Sequence, residues 1–210
     1  MTPLLHLKAS SNWASILELL LHAGADVDHV SDEGDNILLK YARFPATKIV
    51  QALLHAGAKP NLADQRGYTA MHHAARFALA EMMQSLMAAG ADIDSRNPFG
   101  RTPLLETCYD RHDRARAPTI RLLLENGARV DVVDGTGMSA LTHMKVLVLC
   151  GATPHDWQDT VRSIEVLLEH DAVVNAIDWE VFYRMGTPGP RKVASRSSNM
   201  EQISTSETMM

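Results

Sequence analysis

Cysteine is nearly absent: Cys108 and Cys150 are the only two in 210 residues, too few for a disulfide framework. Free thiols suit a reducing compartment, so the cytosol or nucleus is expected rather than secretion. Long apolar runs are missing too. Residues 146–150 are among the longest such stretches, far short of the roughly 18 residues that a membrane helix needs. Excess positive charge is also lacking: 20 Lys and Arg stand against 25 Asp and Glu, a formal net charge of −5. The field that draws proteins onto nucleic acid or anionic lipid is therefore not expected. Near the N-terminus, Lys8, Asn12 and Glu18 interrupt the leucines and no basic segment precedes them, which argues against a signal peptide.

Catalytic motifs are missing as well. Residues 186–192 lack the glycine spacing of a phosphate-binding loop and do not join a strand to a helix. There is no Gly-x-Ser-x-Gly elbow, no His-Glu-x-x-His and no paired-cysteine motif. What the chain does have is 46% hydrophobic residues, ordinary for a folding sequence, and a length that suits one to two domains at roughly 150 residues each.

Those hydrophobic residues are organised by an internal repeat. Leu-His-Ala-Gly-Ala ends at Ala25 and again at Ala58, Met-Ala-Ala-Gly-Ala ends at Ala91, and Leu-Glu-Asn-Gly-Ala ends at Ala128. A fifth, weaker copy ends at Ala172. The glycine markers fall at 24, 57, 90 and 127, with Asp171 in the fifth place, so the steps are 33, 33, 37 and 44 residues. The base period is 33, with insertions of 4 and 11.

Each unit reads as two short helices. The first opens on a residue able to cap free backbone N–H groups: Thr2, Asn36, Thr69, Thr102 and Ser139. Proline follows at Pro3 and Pro103, where its missing N–H costs nothing. The second helix carries apolar residues at the third, fourth and seventh positions before the marker: Leu21, Leu20, Leu17; Leu54, Leu53, Val50; Met87, Leu86, Met83; Leu124, Leu123, Ile120; and Leu168, Leu167, Ile164. That spacing is one helical face. The marker glycines end the helix in a left-handed conformation, and Asp171 is expected to make a weaker stop. Between units, Asp64 with Gly67, Asn97 with Gly100, Asp134 with Gly137, and a degenerate Ser31 with Gly34 read as tight turns.

A 33-residue unit of this make-up resembles the ankyrin repeat, most closely over residues 64–75 and at Gly100-Arg101-Thr102-Pro103-Leu104. The resemblance extends over about residues 1–178, in units of about 1–30, 31–63, 64–96, 97–133 and 134–177. It implies an all-α solenoid of stacked helix pairs, with hairpin-like tips on one side and the first helices lining a concave face. The repeat arithmetic agrees, because two short helices cannot bury an apolar stripe without neighbours. Residues 179–210 depart from the pattern, and from about residue 185 the Gly, Pro, Ser and Thr content reads as a disordered tail.

The departures are the other places to look. The first copy starts without a preceding hairpin, so its leading edge is expected either to meet a partner or to mark a shortened array. Residues 109–118 and 150–157 carry the extra length, both between the helices of a unit. The first reads as a solvated charged loop, or as a partner contact through its three arginines. Trp157, expected in the second loop, is an interface anchor or a cover folded over the stack. The terminal Thr208-Met209-Met210 fits a PDZ-type ligand, a match short enough to arise by chance.

Ten histidines invite a metal reading. His22 and His55 share a repeat position, so they sit on helices about 8 to 10 Å apart, too far to share a zinc ligated at about 2 Å. Cys108 with His112 lacks an orienting carboxylate and oxyanion donors, so it fails as a nucleophile pair. His72 occupies the Thr-x-x-His position, for which the resemblance implies a structural bond near Thr69. No cofactor and no metal site is expected.

Binding remains, and the resemblance directs attention to the tips and to the outward positions of the first helices. The expected partner-binding residues are Arg66, Tyr68, Phe99 and Arg101 on adjacent tips, with His73 and Glu106 on the helices and Lys40 beside them. Aromatic residues and arginine are what protein interfaces favour. The expected function is a non-catalytic interaction scaffold or adaptor whose partner is another protein, not nucleic acid, a membrane or a small-molecule substrate. A regulatory inhibitor, or a targeting subunit of an enzyme or transcription factor, is the alternative.

Overall fold

The computed structural model describes residues 13–31, 34–109, 116–149 and 154–173. Thr2, Pro3, His112, the segment 186–192, the tail and its last three residues lie outside them. The described residues form α1 (Trp13–His22), α2 (Ile37–Ala42), α3 (Thr47–His55), α4 (Ala70–Arg76), α5 (Ala80–Ala88), α6 (Pro103–Tyr109), α7 (Arg116–Glu125), α8 (Ala140–Leu149) and α9 (Pro154–Glu169). No strand forms among them. Among the described residues of the expected hairpins, a single antiparallel bridge, Ala63 with Thr69, is the β-structure present. No helix among these residues is long and apolar enough to cross a membrane.

The helices form two rows. In the inner row α2 packs on α4, α4 on α6, and α6 on α8; in the outer row α1 packs on α3, α3 on α5, and α7 on α9. The core lies between the rows. From the outer helices come Leu17, Val50, Leu53, Met83, Leu86, Ile120, Leu123, Ile164 and Leu167, as the apolar stripe requires; from the inner helices come Ile37, Leu38, Met71, Leu104 and Leu105. At roughly 1.5–3 kcal/mol for each large side chain removed from water, this row of contacts dominates stability. It is shared between units, so no single helix pair owns it.

The helix ends follow the chemistry read from the chain. Asn36 Oδ1 accepts from Leu39 N at 2.7 Å, Thr102 Oγ1 from Leu105 N at 3.4 Å, and Ser139 Oγ from Thr142 N at 3.3 Å. Thr69 and His72 form a capping box, in which the Thr69 backbone N–H and hydroxyl also meet His72 Nδ1, at 3.3 and 2.9 Å. His72 Nε2 then donates to the Arg101 carbonyl of the next unit at 3.0 Å. Its structural role thus extends beyond the local cap to joining two units.

The 44-residue last step is absorbed mostly by longer helices, 10 residues in α8 and 16 in α9. Trp157 therefore lies within α9, half-buried, and not in a loop. Of the three arginines in residues 109–118, Arg111 and Arg114 lie outside the described residues, and Arg116 is the first residue of α7. Arg116 is buried, with Nη1 3.8 Å from Asp159 Oδ2, and Asp159 also accepts the Arg116 N–H at 2.8 Å. A carboxylate of α9 thus caps α7 at its positive end.

A second ladder links successive units and was not anticipated from the sequence. Asp28 Oδ1 accepts from Lys59 N at 2.8 Å and Asn61 Oδ1 from Asp92 N at 2.8 Å. Asp94 Oδ1 accepts from Arg129 N at 3.1 Å and Asp131 Oδ1 from Val173 N at 3.0 Å. Each acceptor stands four residues after a marker, and each donor two residues after the next.

Asp171 makes the same stop as the glycines, with φ +63° and its N–H donating to Leu168 O at 3.1 Å. Ala78, with φ +53°, closes α4 in the same way. Both residues adopt a conformation costing an L-residue roughly 1–2 kcal/mol. Gly100 is the converse case. Its φ is +71°, and a Cβ there would lie 2.7 Å from the Gly135 nitrogen, on the tip whose N–H donates to the Phe99 carbonyl at 2.7 Å. Ala78→Gly and Asp171→Gly are therefore expected to raise the unfolding free energy by up to about 1 kcal/mol each, and Gly100→Ala to lower it by more than about 1 kcal/mol. Urea unfolding followed by circular dichroism measures all three.

Candidate partner-binding face

The tips are closed by one side chain apiece. Asp64 Oδ1 accepts from Arg66 N and Tyr68 N, both at 2.9 Å; Asn97 Oδ1 accepts from Phe99 N and Arg101 N; Asp134 Oδ1 accepts from Thr136 N and Met138 N. Ser31 Oγ, with one short arm, accepts only from Asp35 N among the bonds seen. The second arm of each longer side chain turns inward to a residue nine positions on. Asp64 Oδ2 accepts from His73 Nε2 at 3.2 Å, and Asp134 Oδ2 from His143 Nε2 at 2.9 Å. At the middle turn the polarity reverses, and Asn97 Nδ2 donates to Glu106 Oε1 at 2.8 Å.

Arginine carries this net from unit to unit. Arg43, one residue past α2, donates to both carboxylate oxygens of Asp35, at 3.1 and 2.9 Å, and to Asp64 Oδ2 of the next unit at 2.9 Å. Arg101 performs the second crossing from a different position: Nε lies 3.5 Å from Asp134 Oδ2, and Nη1 lies 3.7 Å from Glu106 Oε1. Its guanidinium carbon sits 3.3 Å from the Tyr109 ring centroid and 5.3 Å from that of Phe99. The planar guanidinium suits both tasks, stacking on a ring while pairing at its edge.

Titration follows from this packing. Burial opposes ionisation of Asp64, but the Tyr68 N–H, His73 and Arg43 outweigh it and hold the carboxyl below its ordinary value. Burial likewise opposes ionisation of Asp134, and the Thr136 hydroxyl, the Met138 and Thr136 N–H groups and His143 hold it well below the usual range. Burial first, then the neighbouring Arg43 charge, lowers His73 to about 4 despite its bond to Asp64. Burial also lowers His143, against the pull of Asp134. Tyr68 is raised by burial and by Glu106, to which its phenol is hydrogen-bonded.

The exposure expected of His73 and Glu106 is thereby corrected. They are 7% and 1% exposed, because each is the inward partner of a turn side chain. Arg101 is half-buried, with only 12% of its side chain exposed. The sequence signal was present and unread: Asp64 with His73, Asn97 with Glu106, and Asp134 with His143 are donor–acceptor pairs at one fixed spacing. Arg66 and Phe99, by contrast, are exposed, Phe99 to 56%, and Tyr68 is half-buried, stacked on His73 with ring centroids 5.6 Å apart.

Between tips and inner helices lies a half-open cleft of about 790 Å³, lined by Arg66, Tyr68 and Phe99 together with Arg43, Arg76 and Phe77. A smaller cleft of about 450 Å³ adjoins Arg101, Tyr109, Met138 and His143. No cluster of three or more potential metal ligands occurs among the described residues. His22 and His55 point back along their own helices, Nδ1 bonding Glu18 O at 2.8 Å and Gln51 O at 2.7 Å. Cys108 is fully buried and its thiol is pushed up to about 12, which keeps it protonated and non-nucleophilic at neutral pH. Native chain treated with iodoacetamide is expected to stay unlabelled at Cys108 until it is unfolded, as read by peptide mass spectrometry.

Residues 5–97 match the family model described as Ankyrin repeats, in three copies. No curated protein matches the chain.

The lowered histidines give the fold a pH dependence with a definite sign. Unfolded His73 takes up its proton near 6.5, whereas the folded one does so only near 4. Stability is complete above about 6.5 and is lost as pH falls toward 4, by up to about 3 kcal/mol from His73. His72 and His143 act in the same direction, and Asp64 and Asp134 add their loss only below about 4. In His73→Gln the amide still donates to Asp64 but cannot titrate, so a plot of unfolding free energy against pH is expected to be shallower between 6.5 and 4.

Proposed function

The chain carries ankyrin repeats, and from that premise we propose that it is a non-catalytic interaction module that grips a partner protein at the cleft between tips and inner helices. Ankyrin repeats generally mediate protein–protein interaction; the surface assigned here and the scaffold or adaptor role are our reading. We assign α6–α9 to two further units, on their caps, apolar stripes and turn bonds. The observation that carries the surface is the exposure of Arg66 and Phe99 on tips that are otherwise fastened. Their backbone N–H groups are engaged by Asp64 and Asn97, so these side chains are presented from an ordered frame at little entropic cost on binding.

Within this reading Arg66, Tyr68 and Phe99 are the contact residues. His73, Glu106 and Arg101 are positioning residues, holding the tips from behind. That division explains why an alanine at Arg101 is a poor test of contact: it removes the tie to Asp134 as well.

The double variant Arg66→Ala/Phe99→Ala leaves every bond of the turn net in place and is expected to keep its helicity. Crosslinking in cells followed by mass spectrometry is expected to enrich a partner on the native chain and lose it on the variant. Partners retained equally on both would place the contact surface elsewhere.

A further inference from the structure

Three aromatic rings converge where the two clefts adjoin. Tyr68 and Phe99 line the larger cleft, and Tyr109 lines the smaller one. Arg101 joins them: its guanidinium carbon lies 3.3 Å from the Tyr109 centroid and 5.3 Å from that of Phe99. Glu106, to which the Tyr68 phenol is hydrogen-bonded, lies 3.7 Å from Arg101 Nη1. Phe99 is 56% exposed and Tyr109 49%, so two large rings stay open to solvent on a frame that is otherwise fastened.

Charge gives this surface no preference for an ionic ligand. Among the described residues the two linings hold Arg43, Arg66, Arg76 and Arg101 against Asp35, Asp64 and Asp134, and Glu106 lies beside Arg101, so the ionised groups cancel. His73 and His143, both lowered by burial, add no charge at neutral pH. The polar groups are also engaged with one another: Arg43 with Asp35 and Asp64, His73 with Asp64, and Arg101 and His143 with Asp134. A peptide laid across them as a β-strand would set its backbone N–H groups against acceptors already in use, and each unmade bond costs free energy. Proline brings no N–H.

We propose that Tyr68, Phe99 and Tyr109 form a platform for a proline-rich, uncharged segment of a partner protein, which lies across both clefts in the polyproline II conformation. The inference rests on the interaction reading above and names the partner's chemistry. Polyproline II repeats every three residues, about 9 Å at roughly 3.1 Å per residue, close to the roughly 8 to 10 Å between packed helices. Prolines three apart therefore meet corresponding places on neighbouring units. Their rings pack on aromatic faces, and the preformed backbone loses little freedom on binding.

The test pans a random dodecapeptide phage library against the full chain and measures the selected peptides, made synthetically, by fluorescence anisotropy. Prolines recurring every third position among uncharged residues are expected, and replacing them by alanine is expected to abolish binding. Affinity is expected to fall by about tenfold or more in Phe99→Ser and in Tyr109→Ser, and to change by less than about twofold as salt is raised. It is expected to be unchanged in Phe44→Ser, whose ring is equally exposed but lines neither cleft, with circular dichroism confirming each fold. Selected peptides that lack spaced proline, or that are charged and released by salt, would overturn the proline specificity; if Phe99→Ser still weakens them, the interaction reading stands. Proline-spaced peptides indifferent to both ring variants would overturn the site. An empty selection would overturn the inference as well, and the crosslinking capture above, which does not depend on a linear segment, then decides the interaction reading separately.

Discussion

A buried turn side chain with two polar arms, Asp64, Asn97 or Asp134, holds the tips and the inner row of helices together. One arm closes the tip by accepting two backbone N–H groups, and the other reaches back to the inner helix of the same unit. Two of the three are carboxylates that also receive an arginine from the preceding unit. Bonds to a charged group contribute more than neutral ones, and removing one partner leaves a buried charge exposed to its full desolvation cost. The net is therefore cooperative, since each member is affordable only because the others are present. The apolar core supplies most of the stabilisation, but it is non-directional. The turn net fixes how one unit is set against the next.

That division has a consequence for recognition. The side chains first noticed as interface-like separate into two populations. His73, Glu106 and Arg101 are spent on the net, while Arg66 and Phe99 project from the tips that it holds. On the reading proposed above, a surface presented this way would lose little conformational freedom when a partner binds.

Much of this was legible along the chain. The helix pairs, the capping residues Asn36, Thr69, Thr102 and Ser139, the apolar stripe and the glycine stops each rest on spacing within a few residues, and local spacing is what a sequence displays. The role of His72 was legible for the same reason at its Thr69 end. Its bond to Arg101, like the ladder of Asp and Asn side chains from Asp28 to Asp131, joins residues about thirty to forty apart and could be read only as a donor and an acceptor recurring at matched places in successive units. Asp171 shows the limit from the other side. It departs from the glycine rule, yet adopts the left-handed stop because the packing of α9 on α7 requires the chain to turn there.

The sequence alone therefore determined the all-α repeat, its period and the two helices of each unit, because these follow from which residues cap, bury or turn within one unit. Only the tertiary structure decided which polar residues face outward. His73 and Phe99 both stand at positions the pattern leaves open. Which one is buried depends on whether a complementary group from a turn or a neighbouring unit meets it, and that is settled by packing across a distance that periodicity does not encode.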